Sequence, residues 1–138
     1  MEYLDRMVEE LRAKRAAERV EIEGLLALDS AKFKDEDGYP TEAALRIIEL
    51  WPSDWPASGV FNFIKPLWAM PHFGWHSSVN HEGNLEYHLS TAGWSGNESI
   101  IKALKANVNY IWEEVWVQSR RGGHFTFEIE ESNDECDE

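Results

Sequence analysis

The residues best suited to chemistry in this sequence are two histidines, each followed two positions later by a hydroxyl-bearing side chain: His88 with Ser90, and His124 with Thr126. Two histidines can serve as general acid and general base while neighbouring hydroxyls hold a phosphate group. Strand alternation places all four side chains on one polar face of a predicted sheet. Three interpretations follow: catalysis, ligand binding, and an ordinary solvent-facing surface.

The pair of H-x-S/T patterns resembles the paired motifs of two-histidine phosphoesterases. That resemblance implies His88 and His124 as acid and base, with Ser90 and Thr126 as the hydroxyls that hold the phosphate. The phosphoesterases carry their motifs in two separate, longer lobes, whereas only 36 positions separate His88 from His124 here. The leading interpretation therefore assigns no catalytic residue, and the phosphoesterase is the third hypothesis.

A second candidate site lies at residues 90–99, where a strand is predicted to run through a glycine-containing turn into a helix. Free backbone N–H groups at a helix start attract anions, and arginines can add guanidinium contacts to a phosphate or carboxylate. The alternative is helix capping, because Ser95 and Glu98 have the S-x-x-E spacing of a capping box, and Glu98 repels an anion. The predicted ligand-binding residues are Trp94, Ser95, Gly96, Asn97, Arg120, Arg121, His88 and His124.

Metal and cofactor binding are not predicted. His72, His76 and His81 lie near one another in the sequence, but their spacing matches no standard zinc site. The single cysteine, Cys136, excludes a disulfide within the chain and a cysteine metal site.

The elements that position the candidate residues are predicted as two hairpins with a helix between them. Residues 75–80 and 85–91 flank a short glycine-containing loop, and residues 108–119 and 124–130 flank Arg120-Arg121-Gly122-Gly123. A helix is predicted to begin near Ser95, and residues 108–117 also fit a helical phase. The order over residues 75–130 predicts an α+β fold, with an antiparallel sheet and the N-terminal helices packed on one face of it.

Alternation along these strands predicts which side chains share a face. Apolar side chains at 85, 87, 89, 125, 127 and 129 face the core, and those at 86, 88, 90, 124, 126 and 128 face away from it. On the remaining strand, either Trp112 and Trp116 or Val115 and Val117 join the polar face. Two indoles there would suit stacking on a flat ligand.

The N-terminal residues 2–28 are predicted to form one helix with a heptad-like row of apolar residues that Arg15 and Glu18 interrupt. One interpretation docks this helix on its own domain. The other pairs it with a second copy in an antiparallel homodimer, with Arg15 of one chain meeting Glu18 of the other. The apolar positions of the row are Leu4, Val8, Leu11, Ile22 and Leu25.

A second helix is predicted to begin after Thr41 and to end before Pro52. The aromatic stretch that follows, residues 51–74, contains four prolines, which exclude a long regular element. It is predicted to pack irregularly over the core, and an exposed docking surface is the alternative.

The net charge of −13 is concentrated at the C-terminus, where residues 128–138 hold seven acidic and no basic side chains. The rest is only mildly acidic, which argues against direct nucleic-acid binding because a polyanion needs a basic footprint. Residues 1–130 are predicted to form one domain and residues 131–138 a disordered acidic tail. The charged N-terminus and the lack of a long apolar run favour a soluble, cytoplasmic protein without a membrane segment.

At STAGWSGNESIIKAL and SRRGGHFTFEI the sequence resembles small uncharacterised proteins encoded by bacteriophages and prophages. The resemblance covers roughly residues 75–130 and implies no mechanism, only an accessory role in a host cytoplasm. The leading hypothesis is a non-catalytic protein that captures a phosphate-bearing, nucleotide-like ligand. The second is an acidic inhibitor that uses the aromatic segment to dock on a host protein.

Overall fold

The computed structural model describes residues 2–130, in which six α-helices and two short 3₁₀ turns accompany one sheet. The helices are α1 Glu2–Leu26, α2 Glu42–Leu50, α3 Ala57–Ile64, α4 Pro71–Gly74, α5 Ser95–Lys105 and α6 Ile111–Val115, and the 3₁₀ turns are Ser30–Lys32 and Lys65–Leu67. The predicted acidic tail at 131–138 lies outside the described residues.

The sheet is antiparallel and has four strands in the order β1-β2-β4-β3. The strands are β1 Trp75–Val79, β2 Leu85–Ser90, β3 Trp116–Arg120 and β4 His124–Ile129. β1 pairs with β2 and β3 with β4 as hairpins, and β2 pairs with β4 across the connection that contains α5 and α6. The predicted α+β class and the order hairpin, helix, hairpin are confirmed.

One part of the predicted second hairpin is wrong, because residues 108–119 are not a continuous strand. Tyr110 has a left-handed backbone with φ 64°, and the helix α6 follows it at once. Ile111 and Val115, one helical turn apart, are both buried in the core. The strand begins only at Trp116, so the helical phase noted for 108–117 describes its first half.

The core lies on one face of the sheet, the face to which the apolar side chains of β2 and β4 were expected to point. Tyr87, Leu89, Phe127 and Ile129 are buried there. Phe61 of α3 stacks on Tyr87, with ring centroids 4.5 Å apart, and lies 5.2 Å from the ring of Phe127. The proline-rich segment 51–74 therefore covers the core as predicted, through short helices rather than an extended element.

The helix α1 docks on the rest of the chain only through its C-terminal third. Ile22 is fully buried, whereas every residue from 2 to 17 is exposed. Arg46 of α2 binds Glu21 at 2.8 Å, and Arg19 binds Asp54 at 2.6 Å and lies over the ring of Trp55. The exposed N-terminal part of α1 thus extends past the core as about four turns of helix.

Candidate functional site

The four histidine and hydroxyl residues come together on the open face of the sheet, opposite the core. In the β2–β4 register, His88 lies opposite Thr126 and Ser90 lies opposite His124. The two H-x-S/T patterns therefore pair head to tail, so that each histidine faces the hydroxyl of the other pattern. Diagonal neighbours of this kind have Cα atoms roughly 7–8 Å apart, which places His88 and His124 within reach of one small group.

Both cross-strand pairs are hydrogen-bonded. Ser90 Oγ and His124 Nδ1 lie 2.5 Å apart, and Thr126 Oγ1 lies 3.3 Å from His88 Nδ1. Each of these contacts uses Nδ1. The Nε2 atom of His88 lies 3.0 Å from Glu86 Oε1, which completes a row from carboxylate through imidazole to hydroxyl. The side chain of His88 is 49% exposed, so this row remains accessible to solvent.

A carboxylate pair stands at the other end of the same face, where Glu86 lies opposite Glu128. The amide of Asn80 donates to both, at 3.1 Å to Glu86 Oε2 and 2.8 Å to Glu128 Oε2, and Asn84 donates to Glu128 at 2.8 Å. The Asn80 bond and then His88 lower the pKa of Glu86. The bonds from Asn84 and then Asn80 lower the pKa of Glu128, which the neighbouring Glu86 opposes.

The arginines lie at the opposite end of this face from the carboxylates. Arg120 is the last residue of β3 and lies opposite His124, while Arg121 belongs to the turn that follows, and both are exposed. One row across three strands therefore carries Ser90, His124 and Arg120. The face is electrostatically polarised, with cationic groups at the Ser90 end and carboxylates at the Glu86 end.

The remaining predicted ligand residues, Trp94 to Asn97, begin the helix α5 on the core side of the sheet. Trp94 stacks on Tyr39 with ring centroids 4.6 Å apart. A Cβ atom on Gly96 would lie 2.1 Å from the Trp94 ring, so the indole covers the first turn of the helix. Thr91 N donates to Gly123 O, which ties this segment to the arginine turn. The structure therefore brings residues 94–97 near that turn but not onto the face that carries His88 and His124.

The capping box predicted at Ser95 is wrong, since the N-cap residue is Trp94 and no side chain caps the helix. Trp94 has the extended backbone of an N-cap and Ser95 is already helical. Asn97 is fully buried: its Oδ1 accepts from Ala69 N at 2.9 Å, and its Nδ2 donates to Ala69 O and Thr91 O. Its side-chain atoms are occupied in joining α5 to the segment before β1.

The indoles considered for the polar face are on the other side. Trp112 of α6 lies edge-on to Phe125 and Phe127, and Trp116 stacks on Trp112. A bulge between Trp116 and Gln118 shifts the register, so that Gln118 lies opposite Thr126 on the polar face. Gln118 was not among the predicted site residues, because a bulge leaves no mark in the alternation. His76, considered only as a metal ligand, lies opposite His88 in the register of β1 and could have been placed by alternation.

Two of the clefts on the described surface border the sheet. One, of about 530 Å³, lies between Trp55 and Trp116 and is rimmed by Glu114, Glu128 and Glu130. The other, of about 260 Å³, lies between α5 and β4, where Lys102 and Lys105 border Phe125. Within residues 2–130, no group of three or more acidic, histidine or cysteine side chains is placed to hold a metal ion.

The aromatic segment proposed for host docking is mostly buried. Trp51, Phe61 and Trp68 are in the core, and Phe73 and Met70 are the large apolar residues of the segment that are exposed. The helices described here include none that is long and apolar enough to span a membrane. Comparisons with protein-family models, with curated proteins and with solved structures return no match to this chain.

Proposed function

We propose that the protein binds a phosphate-bearing ligand on the polar sheet face, between His88 and His124. The observation that carries the proposal is the β2–β4 register, which aligns two histidine–hydroxyl pairs around one point of an exposed surface. Residues brought together across two strands on a solvent-facing surface, rather than along one strand, favour a site over a chance pattern.

The side chains on this face supply the donors that a phosphate requires. Imidazole N–H groups and hydroxyls donate hydrogen bonds to phosphate oxygens, and these bonds are stronger than neutral ones because the acceptor is ionised. Both Nδ1 atoms are engaged with hydroxyls, which leaves His124 Nε2 to face the ligand. Arg120 is the nearest permanent cation in the register, and its fork of N–H groups suits two oxygens of one phosphate.

The carboxylates set the orientation of the ligand. Glu86 and Glu128 repel an anion from the far end of the face, so the phosphate would sit towards Ser90 and Arg120. The rest of the ligand would then extend over Glu86, Asn80 and Asn84, whose oxygens and amides suit the hydroxyls and ring nitrogens of a nucleoside. The proposed ligand is therefore nucleotide-like, and its whole binding site lies on the sheet face.

The test is isothermal titration calorimetry with inorganic phosphate, a nucleoside monophosphate and the matching nucleoside. We expect the monophosphate to bind, the nucleoside to bind at least tenfold more weakly, and His124→Ala to weaken the monophosphate roughly tenfold or more, as the loss of a charged hydrogen bond predicts. His72→Ala is the matched control, because His72 is an exposed histidine of α4 outside the face. Equal affinities for wild type and His124→Ala would contradict the proposal.

A phosphoesterase is the second candidate, and the row from Glu86 through His88 to Thr126 favours it. In such a row the carboxylate orients the imidazole, which can then take a proton from a hydroxyl or an attacking water. The test is hydrolysis of cyclic phosphodiesters by wild type, His88→Ala and His124→Ala. Turnover that is lost in both variants would establish the enzyme, and turnover that persists in both would exclude these histidines as its acid and base.

A further inference from the structure

The exposed part of α1 carries an apolar stripe that the rest of the chain leaves uncovered. Leu4 is 59% exposed and Leu11 is 52% exposed, and Met7 and Val8 between them are also exposed. Large apolar side chains that cluster on one exposed surface typically mark an interaction site, whereas single ones do not.

This stripe continues the face by which α1 already packs on the core. Leu4 precedes Ile22 by 18 residues, which is about five complete turns at 3.6 residues per turn. Leu11 precedes Ile22 by 11 residues, or about three turns. The stripe therefore lies on the same side of the helix as Ile22, with Arg15 and Glu18 between them, and the body of the protein covers only the end near Ile22.

The charges along the exposed segment separate into two halves. Residues 2–11 hold four acidic side chains and one basic side chain, whereas residues 12–19 hold four basic and one acidic. Two copies side by side in parallel would set acidic half against acidic half. Two antiparallel copies would set each acidic half against the basic half of its partner, with opposed helix dipoles.

We propose that the exposed segment of α1 pairs with the same segment of a second copy as an antiparallel two-helix interface, independently of any ligand on the sheet face. With the two-fold axis between residues 9 and 10, Val8 of each copy meets Leu11 of the other. Asp5 and Arg12 lie seven residues apart on the same flank of the stripe, so Asp5 of each copy meets Arg12 of the other. Leu4 packs on the aliphatic stem of Arg15. Within each helix Arg15 binds Glu18 at 3.1 Å, and this register does not bring Arg15 to Glu18 of the other copy.

The oligomeric state of the full chain tests the interface directly. Light scattering at tens of micromolar should give twice the chain mass of 16.0 kDa. Leu11→Asp should return the mass to that of one chain while the thermal transition of the domain remains. The matched control is Val20→Asp, because Val20 is 69% exposed on the same helix but lies about 200° around it from Ile22; it should stay dimeric.

A charge exchange tests the antiparallel direction. Asp5→Arg and Arg12→Asp should each weaken the dimer, since each places like charges opposite one another, and the double variant Asp5→Arg/Arg12→Asp should restore it. In a parallel pair Asp5 of one copy and Arg12 of the other lie about 10 Å apart along the helix axis, so the double variant would restore nothing. Failure of the double variant to recover the dimer would overturn the antiparallel arrangement.

A mass of one chain for the wild type at tens of micromolar would overturn the proposal altogether. A dimer that survives Leu11→Asp would place the interface elsewhere and would equally contradict it. A wild-type monomer that gains mass only with a different protein would assign the stripe to that partner and not to a second copy. None of these outcomes bears on phosphate binding at His124, so the two proposals fail separately.

Discussion

Replacing Asn97 tests most directly whether the residues at the start of α5 serve a ligand or the fold. Its side chain is fully buried and makes three hydrogen bonds to main-chain atoms of Ala69 and Thr91. Each such bond contributes a net of about 0.5–1.5 kcal/mol, and the partners left behind lose solvation as well. We therefore expect Asn97→Ala to lower the free energy of unfolding by about 2–4 kcal/mol.

The measurement is denaturant unfolding at equilibrium, followed by tryptophan fluorescence and circular dichroism. For a domain of this size the same loss lowers the melting temperature by roughly 6–20 °C. Asn97→Asp should be more damaging than Asn97→Ala, because a carboxylate oxygen would replace the amide that donates to two carbonyl oxygens. The unfolding slope should stay that of the wild type, which would show that only stability has changed.

Ser95→Ala is the matched control two positions earlier on the same helix. Ser95 is exposed and its side chain makes no capping bond, so we expect a change within about 0.5 kcal/mol. If Ser95 were the cap, the loss would be about 1 kcal/mol. Wild-type stability in Asn97→Ala, together with a loss of ligand binding, would refute the reasoning and return Asn97 to the binding site.

The stability of the domain should respond in three further ways. Gly96→Ala should unstack Trp94 from Tyr39, because the added Cβ would lie 2.1 Å from the indole ring. This variant should have a lower melting temperature and a shifted tryptophan emission. Gly24→Ala should instead stabilise α1 by about 0.5–1 kcal/mol, because an added Cβ there would meet nothing within 4 Å. The pKa values of Glu86 and Glu128 are lower in the folded protein than the ordinary value of 4.5. Their contribution to stability is therefore present above that value and lost as the pH falls through the folded pKa. Denaturation midpoints should therefore drop on acidification below about pH 4.5, less steeply in Glu128→Gln.

The sheet was largely predictable because both of its hairpins carry period-two alternation and glycine-containing loops. The same alternation correctly separated His88 and His124 from the apolar set. It did not give the pairing of β2 with β4, since register between strands that are distant in sequence depends on how the whole core packs. The meeting of His88 with Thr126 therefore emerged only with the fold.

The strand prediction for residues 108–117 failed because their apolar residues fit both the period of a helix and the period of a strand. Ile111 and Val115, like Trp112 and Trp116, are spaced for a helical turn, and the surrounding sequence also fits a strand. The left-handed backbone at Tyr110, a residue for which φ above zero is unfavourable, ends the preceding turn and starts α6. The residues predicted to form one composite site lie on two sides of the sheet, because an amphipathic helix packs on the apolar face and the start of α5 cannot share a face with the histidines.

The strand order determines the sequence in which parts of the sheet can form as the chain folds. Each hairpin closes over a short loop and can form early, whereas β2 meets β4 only after the chain has passed through α5 and α6. Closing that longer segment has a higher entropic cost, which makes such pairings slow steps of folding. The two histidine–hydroxyl pairs each join β2 to β4, so they form only when the two hairpins pack together. Partial unfolding that separates the hairpins would take the pairs apart while leaving both hairpins intact.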